Sequence, residues 1–143
     1  PNAIIKNDVE YILMERKPGG YRKPTDQQRT ASMIDKEDFQ NWFSQIWELP
    51  GASTRNGHPA PFPLELATRL VKMFSFVGDT VLDPFCGSGT TMIAAIDSQR
   101  NSIGVETEAF YCDHILNRIG NEYGMFKDFE LSYTDLTNEK DQY

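Results

Sequence analysis

One stretch constrains this chain more than any other. Asp83-Pro84-Phe85-Cys86-Gly87-Ser88-Gly89-Thr90-Thr91 follows the short apolar run Thr80-Val81-Leu82 and precedes a segment, Thr90 to Ser98, of helical character. A Gly-rich turn between a strand and a helix lets the backbone approach a ligand with no Cβ in the way, and the helix behind it offers free N–H groups. The wording excludes both common phosphate-binding turns. A dinucleotide fingerprint needs a third glycine where Met92 stands, and a P-loop needs a lysine after Gly89. Glu106 lies 17 residues beyond Gly89, at the end of the strand Asn101 to Glu106. A carboxylate there can accept both hydroxyls of a ribose. A Gly turn and a ribose-binding acid without a pyrophosphate loop suit a nucleoside lacking phosphate, and S-adenosylmethionine fits that description.

The surrounding pattern is strand, helix, strand, helix, which predicts a parallel α/β sheet. Pro63 suits the first turn of a helix that buries Leu66, Ala67, Leu70, Val71 and Phe74. Thr107 is placed to cap a further helix running to about Ile119. Upstream, Val9 to Arg16 is rich in β-formers and reads as a strand. Asp35 to Trp47 reads as a helix capped by Asp35, with Phe39, Trp42, Phe43, Ile46 and Trp47 on one face. Trp42 and Trp47 on such a face belong to the core rather than to a stacking platform. Phe129 to Tyr133 is a candidate last strand. The chain divides into residues 1–57, a strand, basic loop and amphipathic helix, and residues 58–143, the ligand-binding α/β part with a polar tail.

Charge narrows the partners. The net charge is −7, which excludes a protein that simply coats nucleic acid. It leaves room for a local basic patch. Between Arg16 and Arg29 five basic side chains stand against Asp26 alone. Arg16, Lys17, Arg22 and Lys23 are therefore candidates for contact with a DNA backbone. Two cysteines, Cys86 and Cys112, give no disulfide framework and suit a reducing cytoplasm. No apolar run is long enough to span a membrane. The histidines and cysteines lack ligand spacing, so no metal is expected.

The nonapeptide resembles the cofactor motif of the amino DNA methyltransferases, which methylate the exocyclic amine of adenine or cytosine. The stretch His58-Pro59-Ala60-Pro61-Phe62-Pro63 and the following helix are similar to that family, as is Gly104-Val105-Glu106 with the helix through Tyr111. The resemblance covers roughly His58 to Ile119. It implies a Rossmann-like methyltransferase sheet and S-adenosylmethionine as cofactor. By the same resemblance Asp83, Pro84, Phe85, Gly87, Ser88, Gly89 and Thr90 line the methionine and ribose part of the site. Glu106 holds the ribose hydroxyls and Phe110 flanks the adenine. His58, Pro59 and Phe62 pack near the methionine end or the adenine.

One departure matters. The family's catalytic tetrapeptide is Ser, Asp or Asn, then Pro-Pro, then Tyr or Phe. It holds the target amine and stacks on the flipped base. No Pro-Pro pair occurs in this sequence. The chain thus looks like the C-terminal part of a methyltransferase without its base-binding half, and its start at Pro1 agrees. No catalytic residue is assigned. The alternatives are a stand-alone S-adenosylmethionine-binding module or a split subunit completed by a partner chain. The strand carrying the tetrapeptide normally lies beside Thr80 to Asp83, so that strand is expected to have an open edge prone to association, including with a second copy.

Overall fold

The computed structural model describes residues 9–51, 62–124 and 130–136. Two strands, β1 (Thr80–Asp83) and β2 (Asn101–Gly104), pair in parallel with Thr80 opposite Asn101 and Asp83 opposite Gly104. Helix α4 (Thr90–Asp97) connects them, as a parallel pair requires. Helix α3 (Leu64–Phe74) precedes β1 and α5 (Ala109–Tyr123) follows β2. This is a partial Rossmann-like α/β unit.

The core forms on both sides of α4. Ala67 and Val71 of α3 pack with Ala94, and half-buried Val81 joins them from β1. On the other side Ile93 meets Ile115, Ile119 and Tyr123 of α5, together with Cys86. Alternate strand residues point away from α4, and they are bare. Leu82 is 61% exposed and its register partner Ile103 is 55% exposed. Among the described residues nothing pairs with the second edge of β1.

The N-terminal part docks at the start of β1. Helix α1 (Asp26–Ala31) carries a complete capping box between Thr25 and Gln28. Gln28 Nε2 donates to the Val77 carbonyl at 3.0 Å, and Val77 N–H donates to Ser32 Oγ at 2.8 Å. Helix α2 (Lys36–Trp42) is capped by Asp35, which accepts from Asp38 N–H at 2.8 Å. Trp42 is buried.

Several elements differ from the sequence expectation. Val9 to Arg16 forms no strand, because among the described residues no edge pairs with it and a strand needs a partner. The helix expected to reach Trp47 stops at Trp42, where the Trp47 ring N–H takes the Trp42 carbonyl at 2.8 Å. Phe39, Phe43 and Ile46, expected on the buried face, are exposed. Phe74, assigned to the buried face of α3, is exposed at the C-terminal end of the helix. Thr107 does not cap α5. The amides of Thr107 and Glu108 go to the Glu106 carboxylate, and α5 starts after Glu108. Glu130 to Tyr133 is not a strand. Residue Phe129 lies outside the described residues.

Candidate functional site

The site sits where β1 and β2 end and α4 begins. Asp83 closes β1, and its Oδ1 accepts from Phe85 N–H at 3.0 Å, an Asx turn that swings the chain off the sheet. Among the described residues its second oxygen accepts nothing. Cys86 N–H donates to the Val105 carbonyl at 3.0 Å, and Gly89 N–H closes the turn on the Cys86 carbonyl at 2.8 Å. Gly87 and Gly89 take φ of +49° and +79°, the left-handed region that favours glycine. A Cβ on Gly89 would also lie 3.1 Å from Ile115 Cγ1. Thr90 opens α4 and is buried.

Glu106 faces this turn from the end of β2. Its Oε2 accepts from Gly87 N–H at 2.9 Å. Its Oε1 accepts from Thr107 N–H at 2.8 Å and Glu108 N–H at 3.0 Å. The Glu108 amide is the main reason that its pKa is held below the ordinary carboxylate value; burial opposes, and the Thr107 and Gly87 amides add to the lowering. The carboxylate is therefore ionised and fixed in orientation. A carboxylate offers about four lone-pair positions; three amides take three of them, which leaves acceptor capacity on Oε2 for a hydroxyl.

Cys86 lies beneath the turn, buried against Ile93 and Ile115. Burial, with Asp83 and then Glu106 nearby, pushes its thiol up to about 11. It is a packing residue, since a thiol so shifted is not a nucleophile at neutral pH. A Cβ on Gly104 would meet Cys86 Sγ and Met92 Sδ, each at 2.8 Å.

The structure thus brings Asp83, Pro84, Phe85, Gly87, Ser88, Gly89, Thr90 and Glu106 to one place. Phe85 projects into solvent, 88% exposed. Phe110 is exposed in the first turn of α5, edge-on to Tyr111 with ring centroids 5.4 Å apart. Phe62 lines a groove of about 430 Å³ between α3 and β1 whose wall also includes Thr91, next to the glycine turn. His58 and Pro59 lie outside the described residues.

The basic residues are placed elsewhere. Arg22 forms an ion pair with Asp79, at the opposite end of β1 from the glycine turn, and its guanidinium lies 5.5 Å from the Phe76 ring centroid. It is a structural tie between the N-terminal part and the sheet. Arg16 stacks over Tyr21 at 4.2 Å. Lys17 and Lys23 are exposed.

Sequence reasoning missed Arg118. Its Nη1 donates to the Ser88 carbonyl at 3.1 Å, and its Nε donates to Glu122 at 3.2 Å. No sequence signal marks a contact between residues 30 apart.

The residues fit a phosphate-free nucleoside: a glycine turn, an oriented carboxylate with an acceptor position for a hydroxyl, and a second Asp83 oxygen that accepts nothing among the described residues. Comparison with known proteins agrees. A family model described as DNA methylase matches residues 2–117. Type II methyltransferase M.MjaI of Methanocaldococcus jannaschii is 49% identical over 127 residues, 84% of this chain and 41% of the relative. Type II methyltransferase M.MthZI of Methanothermobacter thermautotrophicus is 44% identical over 129 residues, 83% of this chain and 36% of the relative. The chain therefore spans about two-fifths of the length of these relatives. A solved structure of the Thermus thermophilus protein TTHA0409, described as a candidate DNA modification methylase, holds S-adenosyl-L-methionine. It is 54% identical with a TM-score of 0.77, over 88% of this chain and 49% of that one.

Proposed function

The chain belongs to the DNA methylase family, and from that premise we propose that it is the cofactor-binding part of an enzyme that methylates the exocyclic amine of adenine or cytosine in DNA. The observation that carries this reading is the bond from Gly87 N–H to Glu106, which ties the glycine turn to an oriented carboxylate. When bound, S-adenosylmethionine supplies a methyl group activated by a sulfonium. The chain's own residues bind and orient. Glu106 accepts from the ribose through the free position on Oε2. Asp83, Phe85, Gly87 and Gly89 line the methionine and ribose side, and Phe110 flanks the adenine. His58 and Pro59 belong to the same site by their motif.

The base-holding tetrapeptide is absent from this sequence, so the reading makes the chain a cofactor half that is inactive alone. Its complement is either the catalytic half of the same enzyme or a partner chain. The second edge of β1 and the apolar groove beside it, lined by Leu66, Leu70, Phe74 and Val81, support such an addition. Association of two copies through this edge is the competing use. Residues 1–57 form the part that precedes the cofactor motif, and residues 58–143 the cofactor-binding part. In the complete enzyme Arg16, Lys17 and Lys23 contact the DNA backbone, while Arg22 stays with Asp79. Two free thiols suit a cytoplasmic setting. Among the described residues no helix is long and apolar enough to cross a membrane.

Radiolabelled S-adenosylmethionine and unmethylated DNA test the reading. Label reaches DNA when the Pro-Pro segment is supplied, in one polypeptide or by mixing, and a Gly89→Asp variant abolishes it. Label transferred by this chain alone would contradict the proposal.

A further inference from the structure

The Ser88–Gly89 peptide unit ends at Gly89, which is left-handed with φ +79°. A flip of that unit rotates Ser88 ψ and Gly89 φ, and glycine accepts either sign of φ, so the Gly89 side does not oppose it. A flip would turn the Ser88 carbonyl away from Arg118 of α5. It would also take the Gly89 N–H away from the turn.

The unit is held at both ends. Gly89 N–H donates to the Cys86 carbonyl at 2.8 Å. The Ser88 carbonyl accepts from Arg118 Nη1 at 3.1 Å. The first bond is local to the turn, whereas the second comes from α5 and is charge-assisted. Arg118 is itself oriented by Glu122 one helical turn on, at 3.2 Å. Ile115, one turn earlier on the same helix, packs against Gly89.

We propose that Arg118 is a positioning residue that locks the cofactor turn in its binding form by holding the Ser88 carbonyl on the α5 side. This rests on the reading of the turn as a cofactor site. In this role Arg118 acts through the peptide unit.

The test uses the full chain in three forms: wild type, Arg118→Met and Arg118→Lys. Methionine keeps the apolar stem and removes the donor; lysine restores a charged donor without the planar fork. Amide hydrogen exchange is read at Gly89, with Ile93 and Ile119 as core references, in the absence of ligand. Binding of S-adenosylmethionine is read by calorimetry. In Arg118→Met, Gly89 exchanges about tenfold faster with the references unchanged, and affinity falls about tenfold, the effect of one charge-assisted bond. With the Pro-Pro segment supplied, KM for the cofactor rises in step and kcat does not change. Arg118→Lys recovers part of both. Wild-type exchange at Gly89 and wild-type affinity in Arg118→Met overturn the proposal. Faster Gly89 exchange with no binding even in wild type overturns the cofactor reading and leaves the lock standing.

Discussion

Glu106 and Gly87 are joined at 2.9 Å across the gap between β2 and the glycine turn. The other carboxylate oxygen collects the two amides that precede α5. One side chain thus aligns three segments: the turn before α4, the end of β2 and the start of α5. Each amide favours the ionised form, so the group that organises the site is also the one that keeps its charge.

That linkage has a definite sign. The folded state lowers the Glu106 pKa from 4.5. Its stabilising contribution is present above that value and is lost as pH falls through the depressed folded value. The thermal midpoint of the wild type should therefore drop as pH goes below 4.5 more steeply than that of Glu106→Gln. Parallel acid limbs in the two proteins would contradict this.

Gly104 is required by proximity. Gly104→Ala places a methyl group 2.8 Å from two sulfur atoms and should destabilise by roughly 1–3 kcal/mol. Adding Cys86→Ala removes one of them and should recover part of the loss. Urea unfolding of the two single variants and the double variant reads the coupling. Strict additivity would show that the sulfur contact is not the cause.

Gln99 is the one non-glycine described residue with a positive φ, +61°. It ends α4 in a Schellman arrangement, with Arg100 N–H on the Ala95 carbonyl at 2.8 Å and Gln99 N–H on the Ile96 carbonyl at 3.0 Å. Glycine takes this conformation without strain. Gln99→Gly should stabilise the chain by roughly 1 kcal/mol, read as a raised urea midpoint with an unchanged slope.

Cys86 should resist alkylation at pH 8 and below, and its folded pKa of about 11 lies above the ordinary 9.0. A raised acid pKa means stability is lost as pH climbs from about 9 through about 11. Cys86→Ala should flatten that alkaline limb. Rapid alkylation of the native protein at neutral pH would contradict the buried placement of the thiol.

The segment from β1 to α5 was legible because independent local signals agree there. Turn glycines, an apolar strand and helical spacing all point to one unit around Asp83 to Glu106. Helix α1 was not legible by periodicity, since Asp26 to Ala31 buries no residue. Its capping box, Thr25 to Gln28, was the available signal. The end of α2 depends on one Trp47–Trp42 bond that spacing does not encode. Val9 to Arg16 has strand composition without a strand, because pairing is a property of the neighbour. Arg22 and Arg118 share the same lesson: their partners, Asp79 and Ser88, are 57 and 30 residues away. Charge clustering marked Arg22 as a basic-patch residue, and the fold pairs it with Asp79 while leaving its side chain half-exposed.

The central claim is that this turn and Glu106 hold S-adenosylmethionine. Calorimetric titration of S-adenosylmethionine into the wild type and Glu106→Gln, at neutral pH, tests it most directly. Saturable one-to-one binding, weakened at least about tenfold in the variant, is the predicted result. No binding by the wild type, or equal binding by both, would contradict it.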